Sequence, residues 1–187
     1  MISLIGLPGV GKSTVGRSLA RSLGYRFVDA DAEVEKRLGC TIREYFEREG
    51  EASFRDVEQA VLAELAGLGE PAVIATGGGA VLREANRQAL RAASTVVYLR
   101  SKPEDLFRRL RHDTHRPLLQ VRDPMRKLRE LFMQRDPLYR RMAHFTIDTG
   151  RPSIPNLVNM ILMQLELAGL VDPALVPSPV EPRALEH

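Results

Sequence analysis

Residues 6–13 read Gly6-Leu7-Pro8-Gly9-Val10-Gly11-Lys12-Ser13 and fit the pattern G-x-x-x-x-G-K-[ST] without deviation. The flanks give that string its meaning. Before it, Ile2 to Ile5 is a short apolar run that reads as a buried strand. After it, Val15, Leu19 and Leu23 recur at helical spacing, and Gly24 ends the run. Strand, glycine-rich loop and helix in this order build a phosphate cradle. Gly6, Gly9 and Gly11 let the backbone take positive φ and come close to phosphate oxygens. Their N–H groups and the helix N-terminus form an anion nest. The pattern predicts that ATP is held by Gly9, Val10, Gly11, Lys12, Ser13 and Thr14. Within it, Lys12 reaches the β- and γ-phosphates and Ser13 offers its hydroxyl to Mg²⁺.

Strands and helices alternate through the rest of the chain. Arg26 to Val28 reads as a second strand running into Asp29-Ala30-Asp31. Ala32 to about Leu65 is helical, with breaks near Gly39 and Gly50, and Thr41-Ile42-Arg43-Glu44 is a capping box that restarts the helix. Ala72 to Ala75 is a third apolar run, followed by Gly77-Gly78-Gly79. Arg83 to Ala93 reads as a helix and Thr95 to Leu99 as a β-branched strand. Ser101-Lys102-Pro103-Glu104 reads as a capping box with proline in the first turn. Residues 112–123 are polar and basic, contain Pro117, and read as a mobile loop. A helix over Pro124 to Met142, disturbed at Pro137, a strand at His144 to Ile147 and a helix over Ile154 to Leu167 complete the order. This alternation predicts an α/β domain over 1–170, a parallel sheet with helices on both faces. Residues 171–187 hold four prolines and no periodicity, which predicts a disordered tail; its final Leu-Glu-His resembles a purification-tag stub.

Composition excludes several classes. The 187 residues are 44% hydrophobic and 27% charged, as in ordinary globular domains. No run approaches the roughly 20 apolar residues a membrane span needs. The first residues lack the basic and apolar segments of an export signal, so a cytoplasmic location is expected. Cys40 is the only cysteine, so no internal disulfide is possible, and it reads as an apolar filler. A net charge of +3 is weak support for nucleic-acid binding. Lysine occurs at four positions only, so arginine supplies 23 of the 27 basic residues. Arginine suits bidentate recognition of carboxylate and phosphate, but the excess means nothing until positions are considered.

The acidic pair Asp29 and Asp31 closes the second strand at the edge where a doubly wound sheet keeps its site. In extended chain, residues two apart point the same way, so one aspartate can serve the metal and the other an acceptor hydroxyl. The competing reading of Asp31 is a helix N-cap.

Six segments then occur in order: the loop ending Gly-Lys-Ser-Thr14, Phe27-Val-Asp-Ala-Asp31, Ser53-Phe54-Arg55, Thr76-Gly77-Gly78-Gly79, His115-Arg116-Pro117-Leu118-Leu119 and Arg135-Asp-Pro-Leu-Tyr139. This set resembles the shikimate kinase family over about residues 1–167. The resemblance implies a P-loop kinase of the nucleoside monophosphate kinase type. Its five-stranded parallel sheet would have the order 2-3-1-4-5, with a substrate-binding helical region at about 32–65 and a lid at about 112–123. It implies transfer of the ATP γ-phosphoryl group to the 3-hydroxyl of shikimate, on the way to chorismate and the aromatic amino acids, with Mg²⁺ as cofactor. By position, Asp31 contacts the shikimate hydroxyls, and Arg55 and Arg135 hold its carboxylate. Gly77, Gly78 and Gly79 approach the ring through backbone N–H groups. Asp29 joins Ser13 in the magnesium shell, Arg109 lies near the adenine, and Arg116 arrives with the lid. Lys12, Asp31 and Arg116 are the expected catalytic set. The expected partners are ATP and shikimate, with no nucleic acid, no membrane and a monomeric chain.

The physical chemistry supports these roles. Two converging guanidinium groups suit one carboxylate. Three glycines after a buried strand are costly to order, which favours close approach over a loose loop. An arginine that arrives on closure neutralises charge on the moving phosphoryl group. No strand ending in a Walker B aspartate follows Val73-Ile-Ala-Thr76; under the resemblance, Asp29 takes part of that role. Two rivals remain: another small-molecule kinase of this fold, such as a gluconate kinase, and a degenerate kinase fold serving as a binding module.

Overall fold

The structure is a computed structural model that describes residues 1–111, 121–150 and 152–176. Five strands form one sheet: β1 (Ile2–Ile5), β2 (Arg26–Asp29), β3 (Ala72–Ala75), β4 (Thr95–Arg100) and β5 (Phe145–Asp148). Their spatial order is β2-β3-β1-β4-β5, and every pairing is parallel. Among the described residues seven α-helices connect and cover them: α1 (Lys12–Leu23), α2 (Ala30–Leu38), α3 (Ile42–Ala66), α4 (Glu84–Ala93), α5 (Pro103–Leu110), α6 (Pro124–Met142) and α7 (Ile154–Leu167).

Alternation along the strands sends side chains to two cores. Leu4, Val97 and Leu99 join Val15 and Leu19 of α1 and Leu157 and Ile161 of α7 on one face. Ile5, Ile74, Val96 and Tyr98 join residues of α3 to α6, among them Phe54, Leu62, Leu90, Leu106 and Leu128, on the other. Both faces of the central strands are therefore apolar, which is why they read as short continuous runs.

Local signals explain most boundaries. Thr41 and Glu44 form the expected capping box at the start of α3. Gly39 ends α2 in the left-handed region. Gly50 breaks the helical path inside α3 at φ 81°, ψ 173°. The capping box read at Ser101 is absent: Lys102 is the N-cap of α5, without a side-chain cap, and Pro103 occupies the first turn. Proline there forgoes an N–H that the first turn would leave unpaired, so the helix starts without a side-chain cap. α6 continues through Pro137.

The described domain runs past the boundary read at residue 170. Pro173–Leu175 is a 3₁₀ turn capped by Asp172, and Val171 and Val176 pack on the α1/α7 core. Residues 177–187 and most of the expected lid lie outside the described residues. Among the described residues no helix is long and apolar enough to cross a membrane.

Candidate active site

The loop between β1 and α1 forms because three residues escape the steric limits on a side chain. Gly9 has φ 82° and Gly11 φ 100°, and a Cβ on Gly6 would stand 2.5 Å from the Leu99 carbonyl oxygen. Lys12 folds back over the loop, its Nζ donating to the carbonyls of Gly6 (2.8 Å) and Leu7 (2.9 Å). The ammonium is thus held over the cradle by backbone oxygens. Gly9, Gly11, Lys12, Ser13, Thr14, Asp29, Asp31 and Gly78 line one cavity of about 290 Å³, together with Pro8 and Thr76.

Ser13 Oγ donates to Asp29 Oδ2 at 2.7 Å. A hydroxyl and a carboxylate at this spacing are hard oxygen donors that suit Mg²⁺, which takes one or two protein ligands and completes its shell with phosphate and water. Asp29 also caps α2, its Oδ1 accepting from the N–H groups of Asp31 (3.1 Å) and Ala32 (3.4 Å).

This corrects the reading of the acidic pair. Asp29 is extended, but Asp31 already lies in the first turn of α2, so the two carboxylates do not share a strand face. The capping role belongs to Asp29. Asp31 is carried inward by the helix, and its Oδ1 would stand 2.5 Å from a Cβ on Gly77. Burial pushes its carboxyl up to about 6; Lys12 opposes the shift, while Asp29, Glu58 and Glu35 add to it. A carboxylate poised there takes a proton from an acceptor hydroxyl more readily than an exposed one.

The three glycines are packed tightly, and by protein groups. None has positive φ. A Cβ on Gly77 would strike Asp31, on Gly78 the ring of Pro8 at 2.6 Å, and on Gly79 the Arg55 guanidinium. Protein side chains occupy the space a Cβ would need at each position, and of the three glycines Gly78 lines the cavity, while Gly77 and Gly79 stand behind it.

Arg55 is held in place by protein groups. Its Nη1 pairs with Glu58 at 2.6 Å, and its Nη2 lies 3.3 Å from Glu51. The Phe54 ring lies 5.1 Å below the guanidinium. Arg135, on α6, has a buried Nε without a hydrogen-bond partner among the described residues. A buried guanidinium donor left open in this way fits an anionic ligand. Burial raises the Tyr139 phenol, and the charges of Arg135 and Arg55 oppose that shift; the Arg55 guanidinium itself packs against Gly79.

Arg109 donates to the carbonyls of Val10 (3.1 Å) and Thr149 (2.6 Å), tying the phosphate loop to the end of β5. It lines a second cavity with Gly9, Gly11, Thr14 and Gly150. Arg116 lies outside the described residues.

Sequence reasoning missed four residues of the site. Pro8 and Thr76 line the cavity. Glu58, 3% exposed, holds Arg55, and Tyr139, fully buried, touches Gly78. Glu58 and Tyr139 follow Arg55 and Arg135 by three and four residues within helices, a spacing that puts side chains on one face and was available in the sequence.

A parallel sheet of this order, with a glycine loop leading into a helix N-terminus and two carboxylates beside it, defines a P-loop phosphotransferase. Comparison with known proteins is specific. The family profile described as shikimate kinase matches residues 8–166. The shikimate kinase of Paracidovorax citrulli (strain AAC00-1) is 56% identical over 175 residues, covering 92% of this chain and 96% of that protein. The solved shikimate kinase from Acinetobacter baumannii in complex with shikimate superposes with a TM-score of 0.83 at 46% identity, covering 91% and 94% of the two chains. A gluconokinase from Sinorhizobium meliloti 1021, at TM-score 0.62 and 22% identity over 89% of this chain and 91% of that one, shares the fold alone. The chain belongs to the shikimate kinase family.

Proposed function

We propose that this chain transfers the ATP γ-phosphoryl group to the 3-hydroxyl of shikimate, giving shikimate 3-phosphate and ADP. The observation that carries the reading is the buried, open Nε of Arg135 together with the Arg55 guanidinium packed on Gly79, next to the cavity-lining Gly78. Shikimate is a polyol with one carboxylate. A carboxylate clamp beside an acceptor-facing aspartate matches that chemistry, and a neutral sugar would leave the clamp unpaired. Gluconate also carries one carboxylate, so the family match, and not the clamp, separates this reading from the gluconokinase fold neighbour.

In this reading the phosphate loop and Lys12 bind the phosphates, and Lys12 offsets charge on the bridging and γ-oxygens as the bond to ADP loosens. Ser13 and Asp29 would hold Mg²⁺, which supplies charge neutralisation at the phosphates. Asp31 aligns the acceptor oxygen and takes its proton. The part given to Arg116 rests on the resemblance. A monomeric chain and a cytoplasmic location belong to the same reading.

The test is a coupled ADP-release assay with shikimate, quinate, gluconate, AMP and water as acceptors. Shikimate is expected to stimulate turnover far above the rest. Efficient use of gluconate or AMP, with shikimate inert, would overturn the assignment.

A further inference from the structure

The acceptor side of the cavity rests on one hydroxyl that touches neither phosphate loop nor acidic wall. Tyr139 is fully buried in α6, and its hydroxyl donates to the Gly78 carbonyl oxygen at 2.6 Å across 61 residues of sequence. Arg135 stands one turn earlier on the same face of α6. Burial pushes the phenol well above its ordinary range, so it remains a neutral donor throughout the physiological range. Its ring is stacked on Tyr98 with centroids 4.8 Å apart. Tyr98 is in turn anchored to Asp136 at 2.8 Å, and Asp136 also holds Arg140 (2.7 Å) and Arg100 (3.3 Å).

We infer that Tyr139 is a positioning residue for the acceptor: its hydroxyl locks the Gly78 carbonyl and the Arg135 guanidinium into one relative placement. This rests on the function proposed above. A peptide plane held by its carbonyl cannot rotate, so the N–H of Gly79 on the same peptide is fixed as well. Gly78 is pressed against Pro8 on its other side, which leaves Tyr139 as the hydrogen bond that sets the plane. The hydroxyl thereby joins the cavity-lining Gly78 to the helix face that carries Arg135. Both parts contact the acceptor away from the transferring group, so the expected signature is in KM and not in kcat.

The experiment compares the parent with Tyr139→Phe, Tyr98→Phe, Arg135→Ala and the Tyr139→Phe/Arg135→Ala pair, using shikimate and ATP. Parent turnover of shikimate tests the function by itself. For Tyr139→Phe we expect the shikimate KM to rise roughly tenfold, with ATP KM and kcat within about twofold, because one oriented hydrogen bond is lost. Tyr98→Phe removes an equally buried hydroxyl, but Asp136 keeps both arginines, so its shikimate KM should match the parent. The double variant should be no worse in shikimate KM than Arg135→Ala by more than about threefold, since the tyrosine acts partly through the arginine. An unchanged shikimate KM in Tyr139→Phe overturns the inference. So does an equal rise in Tyr98→Phe, or full additivity in the pair, either of which assigns the effect to general packing. If Tyr139→Phe does not fold, the Tyr98→Phe result still decides between packing and positioning, because a raised shikimate KM there is incompatible with the hydroxyl-specific account.

Discussion

Ser13 Oγ and Asp29 Oδ2 lie 2.7 Å apart, joining the first turn of α1 to the end of β2. Neither residue alone would make a metal site. The parallel β1-β3-β2 edge brings them together at the C-terminal rim of the sheet, where open α/β sheets hold their ligands.

Asp29→Asn should therefore raise the Mg²⁺ concentration needed for half-maximal turnover several-fold, with activity recovering at high Mg²⁺. Asparagine caps helices about as well as aspartate, so α2 and the melting temperature should change little. Asp31→Asn should instead lose turnover severely at every Mg²⁺ concentration while ATP affinity stays near the parent's. A magnesium titration of both variants checks this; the same rescuable defect in each would make Asp31 a second metal-shell residue.

The raised carboxyl of Asp31 also predicts a stability effect of defined sign. Its folded value of about 6 exceeds the ordinary 3.8, so the folded chain binds this proton more tightly than the unfolded chain. Stability from this group is present below about pH 4 and is lost as pH rises toward and through 6. Asp31→Asn has no such loss. Its stability should equal the parent's near pH 4 and exceed it above pH 6, by on the order of 1–3 kcal/mol. Calorimetry at both pH values measures it; a gap that shrinks with rising pH would contradict the burial argument.

Arg55→Ala and Arg135→Ala should each raise the shikimate KM more than the ATP KM, by roughly 10- to 100-fold for one lost charge-assisted contact. Their stabilities should differ. Arg55→Ala strands the Glu58 carboxylate, 3% exposed, without its partner, and should cost about 3 kcal/mol or more, lowering the melting temperature roughly 5–10 °C. Arg135→Ala removes a guanidinium whose Nε has no protein partner among the described residues, so it should melt close to the parent. Paired kinetics and thermal melts test both halves.

Lys12→Ala should reduce kcat by more than a hundredfold with the fold intact. The side chain's bonds to the Gly6 and Leu7 carbonyls are local to the loop, and the strand and helix that carry the loop are held by the sheet core. Removing the cation takes away stabilisation of charge on the β- and γ-oxygens in the transition state. Circular dichroism melts beside steady-state rates distinguish loss of chemistry from loss of fold.

The phosphate cradle was legible from the sequence because it is local. Gly6 to Ser13 fix their own backbone through glycine φ angles and a helix N-terminus, all within one short segment of chain. The alternation of apolar runs likewise announced the parallel sheet, since strands buried on both faces cannot be polar on either. The capping residue between Asp29 and Asp31 was less clear, because a helix start carries an uncertainty of a residue or two until the cap's hydrogen bonds are seen. The acceptor side was beyond reach in a different sense. Arg55, Arg135, Gly78 and Tyr139 come from α3, α6 and the turn after β3, and the Tyr139–Gly78 hydrogen bond spans 61 residues. Helical spacing puts Glu58 beside Arg55 and Tyr139 beside Arg135, but it does not state which face turns inward or what it meets there. Only packing of α3 and α6 on one side of the sheet decides that, because burying their apolar stripes against β1, β3 and β4 leaves each helix a single orientation in which its polar residues can reach the same turn.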